Sequence, residues 1–86
     1  MTETQARCLE WLAEDRIGMR NWIGFGARTR GIVLGTPKDI PLSNHEAKEM
    51  ARHGWIDAHY YDNLPEVPFF EITDSGRRAV AAERAR

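Results

Sequence analysis

A small α+β domain, with three or four helices and a short antiparallel sheet in a single unit over residues 1–86, is the fold this sequence predicts. Three observations carry that prediction. Apolar residues recur every three or four positions near the N-terminus and again over residues 43–53, each time behind residues suited to capping a helix. Two runs of strand-forming residues, 55–61 and 67–73, flank the turn-forming segment Asp62-Asn63-Leu64-Pro65-Glu66. The length of 86 residues, 42% of them hydrophobic and 29% charged, suits one core and leaves no room for a two-lobed cleft.

Residues 3–17 are rich in helix formers, and Thr2 or Thr4 can cap them. Ala6, Leu9, Leu12, Ala13 and Ile17 form one stripe with Cys8 and Trp11 at its margins, and Gly18 ends the helix. From Gly18 to Gly35 the glycines remove any sustained period. The reading there is a turn, short helix or bend over residues 21–25, then a strand at 29–34, where Ile32, Val33 and Leu34 lie between glycines. Pro37 and Pro41 punctuate a loop. Ser43 or Asn44 then caps a helix to about His53, with Glu46 completing a capping box and Gly54 as the residue beyond the C-cap. Ala47, Met50 and Ala51 face inward; Asn44, His45, Lys48, Glu49 and Arg52 face solvent. In the strand that follows, Ile56, Ala58 and Tyr60 share one face. The last helix starts at Thr73 or Asp74 and runs to Glu83, with Val80 its one strong apolar side chain and Arg84 and Arg86 frayed beyond it. Leu9, Leu12, Ile32, Leu34, Met50, Ile56 and Ile72 are the expected core.

Twelve Lys and Arg against thirteen Asp and Glu give a net charge of −1, which excludes the uniformly basic profile of a generic nucleic-acid binder and leaves local patches open. One such patch is legible. Arg16, Arg20, Arg28, Arg30 and Lys38 follow one another with no acid between them and with Trp22 and Phe25 interleaved, a pattern that suits a phosphate backbone or an acidic protein face. The single cysteine, Cys8, allows no intrachain disulfide. Neither a signal peptide nor a bilayer-spanning apolar run is present in the sequence, so the expected setting is the cytoplasm. A domain this short has a thin core, and a homodimer interface is expected to add to it.

Residues 46–56, EAKEMARHGWI, and 70–80, FEITDSGRRAV, resemble the second half of winged helix-turn-helix domains, in particular those of small MarR-like and PadR-like bacterial or phage proteins. In that family a helix closes on Gly-Trp-Ile or Gly-Leu, a wing hairpin follows, and the returning strand ends in a phrase similar to Tyr-x-Ile-Thr-x-x-Gly-Arg, with Phe70 here in the aromatic place. The likeness spans residues 43–80 and rests on packing, capping and turn positions. It implies a winged-helix-like fold, a recognition helix at 43–53, and the function of a duplex DNA-binding regulator or accessory factor. Two features depart from the pattern: residues 31–42 read as strand and proline loop where a helix should precede the recognition helix, and the wing carries Asp62 and Glu66 without Lys or Arg.

Two sets of candidate residues follow. Asn44, His45, Lys48 and Arg52 would meet a major groove, where Asn pairs with adenine and Lys or Arg reads guanine or holds phosphate, while Arg20, Arg28 and Arg30 would hold the backbone. Alternatively, Trp11, Trp22, Phe25 and Tyr61 would bind a protein, making the chain a small adaptor or inhibitor of the kind phages encode, without DNA binding. Enzyme readings are poorer. Glu10 and Glu14 are an ordinary helix pair; Asp57 and His59 lack a placed third ligand; Ser75 beside Gly76 is explained by a helix start; and Gly24-Phe25-Gly26 lacks the Lys-Ser or Lys-Thr of a phosphate loop. No catalytic residue, metal or cofactor is expected.

Overall fold

The computed structural model describes residues 1–14 and 20–86, apart from the side chains of residues 64–67. Helices α1 (Glu3–Leu12), α2 (Asn44–Arg52) and α3 (Asp74–Arg84) enclose a core with the antiparallel hairpin β1 (Ile56–Tyr61) and β2 (Leu64–Ile72). The result is a small α+β fold. No helix among the described residues is long and apolar enough to cross a membrane.

Each helix begins where its capping residue predicts. Thr2 and Ser43 both complete capping boxes, with Gln5 and Glu46 answering from the third helical position, and Thr73 caps α3 by accepting from the Gly76 N–H at 3.0 Å. The end of α2 is a Schellman turn: Trp55 N–H donates to the Met50 carbonyl at 3.0 Å and Gly54 N–H to that of Ala51 at 3.1 Å, with Gly54 at φ 74°. Helix α1 stops at Leu12, short of the expected Ile17. Its last carbonyls are met from outside the helix, that of Trp11 by Asn21 Nδ2 at 2.6 Å and that of Ala13 by Arg77 Nη1 at 3.3 Å. Ile17, Gly18 and Arg16 lie outside the described residues.

Strands β1 and β2 pair from Ile56 with Ile72 through His59 with Phe69, with an irregularity before Tyr61 pairs with Leu64. The hairpin loop is therefore Asp62 and Asn63 alone. The expected turn was longer, but residues 64–66 extend β2. At the base of the hairpin the Thr73 N–H donates to the Trp55 carbonyl and the Thr73 hydroxyl to that of Gly54. A Cβ at Gly76 would overlap the Trp55 carbonyl oxygen and lie 3.0 Å from Ile72 Cγ1, so helix and hairpin meet only because the side chain is missing.

The core is Ala6, Cys8, Leu9, Leu12, Ile23, Ile40, Leu42, Ala47, Met50, Ile56 and Val80, with Trp11, Phe25, Trp55, Phe70 and Ile72 packed against it. Buried Gln5 joins α1 to α2. Its side-chain amide accepts from the Thr2 N–H at 2.8 Å and donates to the Glu46 carbonyl at 3.1 Å. Arg84, expected to fray, belongs to α3 and forms ion pairs with Glu3 and Glu10 of α1.

Residues 29–34 depart from the expected strand. The chain makes a 3-10 turn at Ala27–Thr29, enters the left-handed region at Arg30 (φ 56°) and returns through Gly31 (φ 76°). Extended structure survives only at single bridges, Ile23 with Phe70 and Gly24 with Leu34. Ile32 and Leu34 are consequently 61% and 47% exposed instead of buried. Strand-forming side chains did not decide here, because Thr29 is spent on a tight turn: its hydroxyl and its N–H both bond the Gly26 carbonyl. Ile23, Ile40 and Leu42 occupy the core instead.

Candidate nucleic-acid interface

Helix α2 sorts its charges by face. Glu46 is held on the α1 side, accepting from the Thr2 hydroxyl and from the Ser43 N–H, and Glu49 accepts from Gln5 Nε2 at 3.4 Å while its other oxygen lies 3.2 Å from His45 Nε2. Partial burial opposes ionisation of Glu46. The Thr2 and Ser43 donors outweigh it and hold the carboxyl below its usual range. With both acids engaged, Lys48 and Arg52 project one turn apart into solvent, and neither makes an ion pair among the described residues.

The 26–31 turn adjoins this helix. A Cβ on Gly31 would lie 3.7 Å from Asn44 Nδ2, so the turn that carries Arg28 and Arg30 sits over the first residue of α2. Arg30 and Lys38 also make no ion pair among the described residues, and Asp39, the one acid between residues 20 and 45, is bound by Arg7 at 3.2 Å. Around the turn and α2, then, the acids Asp39, Glu46 and Glu49 are each engaged by a partner, while Arg30, Lys48 and Arg52 make no ion pair among the described residues.

Not every candidate joins this surface. Asn44, expected to face solvent, is half-buried, and its Oδ1 is fully buried without a hydrogen-bond partner, so it packs beneath the turn. His45 is exposed and engaged with Glu49. Arg20 points its guanidinium at buried Glu71, 3.3 Å away, beside a small polar cleft shared with Asn21, Asp74 and Arg77. Tyr61 donates its hydroxyl to the other Glu71 oxygen; that bond, with burial second, raises the phenol pKa. Cys8 is fully buried, its thiol pushed up to about 12 by desolvation, with the Glu46 charge a lesser cause. Such a thiol is inert as a nucleophile.

The aromatic candidates divide as well. Trp11 is half-buried against the core, whereas Trp22 and Phe25 line an apolar groove of about 320 Å³ with Leu34, Tyr60, Pro68 and Phe69. Trp22 meets Phe69 edge-on at 4.8 Å, Tyr61 meets the same ring at 5.2 Å, and Phe25 stacks on Phe70 at 4.3 Å. Sequence reasoning put Leu34 in the core and did not single out Tyr60 or Phe69, which meet Leu34 here only through the Gly24–Leu34 bridge and the hairpin register. It missed the Glu71 cluster because Tyr61 and Glu71 come together only through the hairpin register. Comparison of the chain with protein-family models, curated proteins and solved structures gives no match.

Proposed function

We propose that the chain is a duplex DNA-binding regulator or accessory factor with a winged-helix-like domain, in which α2 enters the major groove and the 26–31 turn holds phosphates. The observation that carries this reading is the approach of Gly31 to Asn44, which brings the turn bearing Arg30 to a helix whose own acids are engaged by Thr2, Ser43, Gln5 and His45. Element order agrees in part: α1, α2, the hairpin and α3 follow in the sequence the resemblance implies, whereas a 3-10 turn and a proline loop stand where the first helix of a helix-turn-helix would. Lys48 and Arg52 are the side chains for base edges or phosphates. Half-buried Asn44 positions the turn in this scheme and does not read adenine. The hairpin loop carries acidic Asp62 and adds little affinity in this scheme, and action as a cytoplasmic dimer supplies the missing contacts.

Anisotropy titration of a labelled duplex of about 25 base pairs at about 150 mM salt tests this. Binding in the ~1–100 μM range is expected for random sequence, with a steep loss on adding salt. Arg30→Glu and Lys48→Glu each weaken it for all sequences and lower the salt slope by about one unit per lost phosphate contact, while Arg78→Glu on exposed α3 has little effect. A wild type with no affinity tighter than ~100 μM for genomic or random duplex contradicts the proposal.

A further inference from the structure

We infer that the outer edge of β1 pairs with the same edge of a second copy, antiparallel about Ala58, to make one four-stranded sheet. The pairing rests on the duplex-binding reading only in naming the contact for the dimer that reading calls for; its evidence is the hairpin alone.

The two edges of the hairpin differ. Phe70 of β2 donates its N–H to the Ile23 carbonyl at 2.8 Å and accepts from the Ile23 N–H at 3.0 Å, so both its backbone groups turn away from β1. Bonded and non-bonded pairs alternate along antiparallel strands, so Ala58, opposite Phe70, turns its own N–H and carbonyl outward. No strand or bridge among the described residues covers them. An open edge of this kind is a template for another strand. In the single chain the Asp57 carboxylate accepts from the Ala58 N–H at 2.9 Å.

That carboxylate lacks a cation. Its register partner, on the same face of the hairpin, is Glu71, and like charges directly opposite repel. Glu71 is buried and engaged by Arg20 and Tyr61, whereas Asp57 is exposed and makes no ion pair among the described residues. His59, exposed on the same face, makes neither a hydrogen bond nor an ion pair among them.

A second copy answers both residues. With a two-fold axis at Ala58, each Asp57 lies opposite His59 of the other copy, in a non-hydrogen-bonded pair where side chains approach most closely. The Ala58 N–H passes to the other Ala58 carbonyl, and the released carboxylate accepts from the imidazole. One hydrogen bond is given up on each side, and a backbone bond and an imidazole–carboxylate bond replace it. The small side chain at the axis leaves the strands free to approach. A foreign strand would have to repeat Asp-x-His in the opposite direction, which β1 itself does, so charge complementarity selects a second copy. The irregularity beyond His59 keeps the shared ribbon short and the association weak.

Sedimentation equilibrium of the full chain without DNA, from about 10 μM to about 1 mM, provides the test. A dimer with a Kd of ~10–100 μM is expected, so the edge is already paired in a millimolar sample before duplex is added. His59→Asp, at an exposed site, sets acid against acid and weakens association at least about tenfold. Mixing that protein with Asp57→His restores acid opposite imidazole at both positions, and the mixed dimer is at least about tenfold tighter than His59→Asp with itself. A chain that stays monomeric to ~1 mM, a dimer indifferent to His59→Asp, or a mixture that forms no mixed dimer each overturns the inference. Duplex titration is read separately: a monomer that binds duplex overturns this inference alone, and a dimer that obeys the mixing rule without binding duplex supports it while overturning the duplex reading.

Discussion

Helix α1 with residues 43–84, on one side, and residues 20–42, on the other, are built by different means. In the first, capping boxes, a Schellman turn and a paired hairpin satisfy the backbone locally, and every helix begins where its cap demands, although β2 starts three residues early. In the second, a few bridges and a 3-10 turn do the work, and strand-forming Ile32 and Leu34 are left in solvent. The regular half supplies the platform. The irregular half supplies the turn that bears Arg30 and the exposed Trp22 and Leu34, in keeping with loops on rigid scaffolds carrying recognition.

Truncation separates the two halves most sharply. Met50→Ala and Leu9→Ala, both at fully buried positions, are expected to cost ~2–5 kcal/mol through lost transfer energy and cavity formation, and Leu12→Ala and Ile56→Ala ~2–4. Ile32→Ala should change stability by less than ~0.5 kcal/mol. Urea unfolding measures all five; a loss at Ile32 comparable to that at Met50 would erase the distinction. Gly76→Ala comes next, at ~1–3 kcal/mol, because the added methyl runs into the Trp55 carbonyl.

Why one half was legible and the other not is a matter of where the deciding interactions lie. Thr2, Ser43 and Thr73 act on N–H groups three residues away, and Gly54 acts on its own φ, so their effects are written within a few residues of sequence. The fate of residues 29–34 goes with the Ile23–Phe70 and Gly24–Leu34 bridges and with Ile23, Ile40 and Leu42 filling the core, and no local pattern encodes that. The same holds for the surfaces. Exposed Lys48 and Arg52 follow from helical spacing, but the half-burial of Asn44, the diversion of Arg20 to Glu71 and the groove at Trp22 are long-range results. Within the irregular half, then, residue type alone was a poor guide to exposure.

Smaller effects refine the comparison. Tyr61→Phe removes a donor from buried Glu71 and should cost ~1 kcal/mol, a modest amount because the phenol is itself partly exposed. Because the folded-state Tyr61 pKa is raised above its ordinary value of 10.0, its contribution is complete below that pH and fades as pH rises through the folded value. Glu3 and Glu46 behave oppositely. The Arg84 hydrogen bond lowers Glu3, and the Thr2 and Ser43 donors outweigh burial at Glu46, so their contributions are present above pH 4.5 and lost as pH falls through the depressed values. Thermal melts from pH 3 to 11 check both limbs, with Tyr61→Phe flattening only the alkaline one. Arg84→Ala gives the smallest change of all, and one that shrinks with added salt, since its carboxylate partners are exposed.

The most direct test of duplex binding by the turn and α2 is an amide chemical-shift titration of the labelled chain with duplex DNA. Duplex binding through α2 predicts shifts over residues 28–31 and 44–52, with Gly24, Tyr60 and Phe69 unmoved. Shifts centred on Gly24, Tyr60 and Phe69 or on the hairpin loop, or none at all, would contradict it.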